Sequence, residues 1–175
     1  TVSSLPAHAR CRRGMSRTFQ ITSLFPELSA LENVRIAIQA KGGGNNRVLG
    51  GRALLARTEA AAREALGFVN LEDRAAAPAS TLPHGDQRLL EIAMALAQDP
   101  ELLLLDEPTQ GLASEETAAT AALVRRISRE RRVTILLVEH DMDAVFALAD
   151  RIAALHACRG RPPCAPPPRR SRRLR

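Results

Sequence analysis

The chain has no tryptophan and no tyrosine, and four phenylalanines serve all 175 residues. Surfaces that grip nucleic acid by base stacking interleave aromatic faces with cations, and the material for such a surface is missing. Cysteine is equally scarce: of three, two lie beyond residue 156, and their spacing matches neither a metal site nor a disulfide framework. No apolar run approaches the ~20 residues that cross a bilayer, and no segment has the pattern of a secretory leader. Acidic residues are absent from 157–175, a stretch holding seven Arg, five Pro and two Cys. Such a composition cannot bury an apolar core. It also accounts for the excess of positive charge: the chain has 25 basic and 19 acidic residues, and without the seven tail arginines 18 basic residues remain. The high isoelectric point therefore describes the tail, while residues 1–156 have the length and near-neutral charge of one domain.

Against this background residues 102–107, Leu-Leu-Leu-Leu-Asp-Glu, stand out. Four consecutive leucines suit a strand buried on both faces of a parallel sheet, and Pro108 helps to end it. Adjacent acids at the end of such a strand are the metal-and-water half of a nucleotide-hydrolysing site, the Walker B element. Asp106 would hold Mg²⁺, directly or through water, and Glu107 would orient and deprotonate an attacking water. An apolar run ending in Asp-Glu also occurs where a buried strand meets a solvated turn, so the neighbouring segments decide its meaning.

Upstream, Leu82-Pro83-His84-Gly85-Asp86-Gln87-Arg88 precedes a stretch whose Leu89, Ile92, Ala93 and Leu96 recur at helical spacing. The helix is expected to stop at Asp99, because Pro100 disfavours helical geometry in the residue before it. Downstream, Val133–Val138 reads as a second buried strand and ends in Glu139-His140-Asp141. Ligands of open parallel sheets sit at the carboxyl ends of strands, which is where His140 falls. Glu139 and Asp141 are expected to be solvated or capping acids, with Asp141 the N-cap of a helix carrying Val145, Phe146 and Ala149. Near the start, Arg17-Thr18-Phe19-Gln20 precedes Ile21.

In this order the segments resemble the nucleotide-binding domain of ABC transporters, with a Q-loop at Gln20, a signature loop over 82–87, Walker B over 102–107 and a switch histidine at His140. The resemblance spans about residues 13–155. It is nearest to the ATP-binding subunits of bacterial branched-chain amino acid importers, through Arg17–Gln20 with Leu31-Glu32-Asn33-Val34, through His84–Ala93, and through Val138–Met142. Relatives in chromosome maintenance and DNA repair separate their ATPase halves by a very long coiled coil, for which the interval from Gln20 to Leu82 leaves no room. That interval suits a small helical subdomain instead: Leu31–Ala40, a Gly42-Gly43-Gly44-Asn45-Asn46 loop, and a helix from about Glu59 to Val69 with Thr58 as N-cap.

The resemblance implies an α/β fold with a mainly parallel sheet of P-loop NTPase type and an inserted helical subdomain over about 25–90, residues 1–156 forming part of a nucleotide-binding domain. It implies ATP and Mg²⁺ as ligands. Glu107, His140 and Gln20 would be catalytic, Asp106 and Gln20 would serve the metal, and Leu82, Pro83, His84, Gly85, Asp86 and Gln87 would serve the nucleotide. It further implies a second ATP-binding subunit, transmembrane permeases contacted through the helices around residues 25–75, and an extracellular solute-binding protein reached indirectly. The implied location is the cytoplasmic face of the membrane, and no nucleic-acid partner is expected.

Three departures stand beside these implications. Pro83 replaces a serine whose hydroxyl helps to hold the γ-phosphate on the partner subunit; either that contact is lost or Pro83 is simply a helix-start proline. Ala113 replaces an aspartate that in many members faces the partner. No Gly-x-x-x-x-Gly-Lys-[Ser/Thr] occurs anywhere, so the phosphate cradle and its lysine are missing, as is a Tyr or Trp to stack on adenine. The expectation is a fragment lacking its amino-terminal third and inactive alone. A strand at Arg151–Leu155 is expected to precede a tail of disordered or frame-shifted sequence over 157–175. The alternatives are a non-functional gene fragment, or a nucleic-acid-binding protein using the tail with Arg10, Arg12, Arg13 and Arg17.

Overall fold

Strand-forming segments separated by helices pair most readily in parallel, and the described strands do so in the order β1 (Met15–Arg17), β2 (Leu102–Asp106), β3 (Thr134–Val138). The computed structural model describes residues 2, 4–19, 23–41 and 51–153. Gln20, the Gly42–Asn46 loop and the tail over 157–175 lie outside them, as do Ala154 and Leu155; the described part of the strand expected at 151–155 is not a strand.

Register sets which side chains share a face. Ser16 pairs with Leu103 and Leu103 with Ile135; Arg17 pairs with Leu104 and Leu104 with Leu136. Successive residues alternate across a sheet, so Ser16, Leu103, Leu105, Ile135 and Leu137 lie on one side. There Leu103 and Leu105 are fully buried and join Leu90, Ile92, Leu123, Val124 and Ile127 in the core. The other side carries Arg17, Leu104, Leu136 and Val138, and the last two are 55% and 54% exposed. Burial on both faces, expected from the apolar runs, is therefore corrected. An apolar run reports what a strand can bury, whereas the number of covered faces depends on which elements pack on the sheet.

Six α-helices accompany the sheet among the described residues: α1 (Ala7–Arg12), α2 (Ala30–Lys41), α3 (Gly51–Phe68), α4 (His84–Leu96), α5 (Ser114–Glu130) and α6 (Met142–Leu148). Helix α2 starts on a reciprocal cap: the Glu32 amide donates to Ser29 Oγ at 3.2 Å while the Ser29 amide donates to Glu32 Oε2 at 3.2 Å. Its Ala30 and Val34 pack with Ala62, Ala65 and Leu66 of α3. Helix α3 begins well before Glu59, and Thr58 lies inside it, donating its hydroxyl to the Leu55 carbonyl at 2.9 Å rather than capping.

Helix α4 ends at Leu96, earlier than Pro100 requires, and Asp99 adopts a left-handed φ of 46°. In α6 the Asp141 cap is borne out, its carboxylate accepting from the Asp143 and Ala144 amides at 2.9 and 3.2 Å. Phe146 nevertheless points outward at 68% exposure, and Ala149 follows the helix instead of belonging to it.

Candidate functional site

β2 and β3 finish side by side, with Asp106 opposite Val138 in the last rung. The residues that follow each strand therefore share the carboxyl edge of the sheet. Glu107 turns there with φ at 48°, a left-handed conformation that residues other than glycine seldom hold. Its amide donates to the Val138 carbonyl at 2.9 Å. The turn brings Glu107 Oε1 to 3.6 Å from His140 Nδ1, with His140 68% exposed and Glu107 23% exposed. That gap exceeds a direct hydrogen bond, and an acid and an imidazole facing each other at an open edge are placed to act on a common water.

Asp106 points elsewhere. Its Oδ2 accepts from Arg17 Nη2 at 2.8 Å, and the same guanidinium lies 5.1 Å from the Phe19 ring centroid. Arg17 is half exposed, so water screens much of this pair. Asp106 offers the hard oxygen that Mg²⁺ prefers, and such sites are completed by water and substrate phosphate. Among the described residues no group of three or more acidic, histidine or cysteine side chains converges as a metal cage. The donor set thus fits a cation held through one carboxylate and shared with a phosphate, not a closed protein site.

The segment over 82–87, read from the sequence as a signature loop, forms a separate corner at the start of α4. Leu82 is buried, and Pro83 occupies the N-cap with no capping side chain. α4 begins at His84, and Pro83 stands immediately before it, its carbonyl accepting from the Gln87 amide at 3.0 Å. Gln87 folds back, donating Nε2 to the Leu82 carbonyl at 2.9 Å, and Asp86 is paired with Arg74 at 2.8 Å. Gly85 packs against Glu116, where a Cβ would come within 2.9 Å of Oε1. That same Glu116 accepts from the Ala113 amide at 3.0 Å and so caps α5. His84 reaches Gly111, which turns with φ at 77°. The loop after β2 thus lies against residues 84 and 85.

The structure brings together Glu107 and His140, leaves Asp106 at the same strand end but turned to Arg17, and groups 82–87 with 111–116. Gln20 lies outside the described residues, but both its described flanks are tied to α4. Arg88 Nη1 donates to the Phe19 carbonyl at 3.0 Å, and the Ser23 amide donates to Glu91 Oε1 at 2.7 Å. Arg88 and Glu91 also pair with each other at 3.2 Å, each side chain 7% exposed. Burial pushes the Glu91 carboxyl above its ordinary range; the Ser23 amide and the Arg88 guanidinium oppose that shift without cancelling it.

Sequence reasoning missed this pair. A signal existed, because Arg88, Glu91, Ile92 and Ala95 recur on one helical face and all four are buried. It also missed Glu139, expected to be solvated or capping. Its side chain is 0% exposed and accepts from the Thr109 amide and hydroxyl at 3.0 and 2.5 Å.

Residues 2–110 match the ABC transporter family. The high-affinity branched-chain amino acid transport ATP-binding protein BraF of Pseudomonas aeruginosa is 37% identical over 162 residues, covering 89% of this chain and 63% of that protein. LivG of Escherichia coli strain K12, named for the same transport, is 39% identical over 156 residues, covering 86% and 61% respectively. The chain thus spans a little over three fifths of these relatives' length. Among solved structures, a dimeric post-hydrolysis state of the ATP-binding cassette MJ0796 with ADP and Pi bound is similar at a TM-score of 0.69 and 27% identity, covering 86% of this chain and 63% of that one.

Proposed function

Because this chain belongs to the ABC transporter family, we propose that it carries the water-activating edge, signature loop and Q-loop segment of an ATP-hydrolysing importer subunit for branched-chain or related amino acids. The observation that carries the reading is the approach of Glu107 to within 3.6 Å of His140 at the strand edge that Asp106 ends. Similarity to BraF and LivG supports the choice of solute.

In this reading Glu107 orients the attacking water and receives its proton on a carboxylate oxygen, while His140, across the gap, orients the same water toward the phosphate. Asp106 would hold Mg²⁺ through its carboxylate, with Arg17 sharing or releasing Oδ2. When bound, Mg²⁺ offsets charge on the transferring phosphoryl group. The amides at the start of α4 and Gly85 face the nucleotide of a second ATP-binding subunit, Pro83 contributing neither hydroxyl nor N–H. Gln20 and the helices around residues 25–75 transmit closure to membrane-spanning permeases at the cytoplasmic face, which receive solute from an extracellular binding protein. Among the described residues no helix is long and apolar enough to cross a membrane. With no phosphate-cradling Gly-Lys motif in the sequence, the chain by itself turns over ATP poorly or not at all.

The test supplies an authentic P-loop segment ahead of Thr1 and compares two variants. Glu107→Gln should keep ATP binding, slow hydrolysis by roughly 10²-fold or more, and trap a dimer. Asp106→Asn should weaken Mg-dependent binding, since an amide is a poorer ligand for a hard cation. Equal loss of nucleotide affinity in both, or normal turnover by Glu107→Gln, would overturn the division of labour.

A further inference from the structure

The carboxylate of Glu139 lies between the strand edge and the loop behind it, and the mechanism above gives it no role. Its Oε1 accepts from the Thr109 amide at 3.0 Å and from the Thr109 hydroxyl at 2.5 Å, and its Oε2 accepts from the His140 amide at 3.2 Å. The side chain is fully buried, and Thr109 is 7% exposed. A carboxylate that far from solvent is tolerated only when donors surround it, so these contacts are costly to break. They join segments 30 positions apart, the loop after β2 and the residue after β3.

Their placement around Glu107 is what matters. The Glu107 amide is fixed to the Val138 carbonyl at 2.9 Å, and Thr109 is fixed to Glu139. Glu107 is thereby tied to the β3 end on both sides of its left-handed turn. A conformation of that kind persists where its surroundings over-determine it. Glu139 Oε2 also lies 4.0 Å from His140 Nδ1, on a ring that sits 3.6 Å from Glu107.

We propose that Glu139 is a positioning residue: through Thr109 and the His140 backbone it locks the loop after Glu107 to the residue carrying the imidazole, and so sets the Glu107–His140 separation. Displacement of the 109–114 loop, which also touches His84 of the signature loop through Gly111, is thereby transmitted to the water-handling pair. The catalytic meaning of this role rests on the function proposed above; the linkage itself does not.

The experiment uses the isotope-labelled full chain without nucleotide, so failure of ATP binding or turnover leaves it unaffected. Glu139→Ala should speed hydrogen exchange at the Thr109 amide by at least about tenfold, the loss expected for one buried hydrogen bond to a charged group. Exchange at Leu103 and Leu105 should change little, while the His140 ring resonances shift. Glu139→Gln should restore protection at Thr109, because its amide oxygen can accept the same N–H. Unchanged Thr109 exchange and unchanged His140 resonances in Glu139→Ala would overturn the proposal, as would a failure of Glu139→Gln to restore protection. Should Glu139→Ala not fold, Thr109→Val decides: it removes one hydroxyl, should shift the His140 ring signals, and an unmoved ring overturns the linkage.

Discussion

Replacing Arg88 by methionine should destabilise the chain severely at neutral pH and mildly in acid. Arg88 and Glu91 are each 7% exposed and lie 3.2 Å apart, and Arg88 also holds the Phe19 carbonyl. Methionine fills a similar volume but leaves the Glu91 carboxylate buried without its counter-charge. Breaking one side of a buried ion pair costs about 3–5 kcal/mol, and for a chain of this size each kcal/mol moves Tm by about 2–4 °C, so a fall on the order of 10 °C is expected.

The pH dependence follows from Glu91. Burial raises its folded pKa above the ordinary carboxyl value despite the Ser23 amide and Arg88. The folded state then binds the proton more tightly, and this group's contribution to stability is complete below the unfolded pKa and lost as pH rises through the folded one. Removing Arg88 takes away two influences that lower the folded pKa, the charge and the hydrogen bond, so the loss grows with pH and extends further upward. Urea denaturation followed by circular dichroism at several pH values between about 5 and 8 measures it. A penalty under ~1 kcal/mol at neutral pH, or one independent of pH, would refute the reasoning. Glu91→Gln should abolish the pH slope assigned to this residue.

Three further expectations are local. Pro83→Ser supplies an N-cap hydroxyl that α4 lacks and should raise stability by about 0.5–1 kcal/mol, after allowance for the flexibility lost with proline; an unchanged or lower Tm would count against it. Asp141→Ala removes the acceptor for the Asp143 and Ala144 amides and should cost about 1 kcal/mol, read as faster hydrogen exchange confined to α6. Gly85→Ala would place a methyl 2.9 Å from Glu116 Oε1 and push that side chain off the Ala113 amide, so hydrogen exchange at this amide should quicken; an unchanged rate would count against it.

Much of the site is written in adjacency along the chain. Asp106 and Glu107 follow a leucine strand, His140 follows a β-branched one, and strand ends in a parallel sheet share an edge; Asp141 caps α6 because its side chain needs to reach only two or three residues onward. These outcomes depend on local geometry and on the period of apolar residues, which sequence alone displays. It also determined the resemblance that led to the family, through motif order. The tertiary structure decided what depends on long-range partners: Arg17 on Asp106, 89 positions apart; Ser23 on Glu91, 68 apart; Thr109 on Glu139, 30 apart. A charged residue reads the same in sequence whether water or a buried donor satisfies it, so Glu139 and Glu91 passed for ordinary polar positions. Likewise Leu136 and Val138 carry the apolar character of a core strand yet lie open, because coverage of a sheet face is a property of what packs on it, and no strand encodes its neighbours in its own residues.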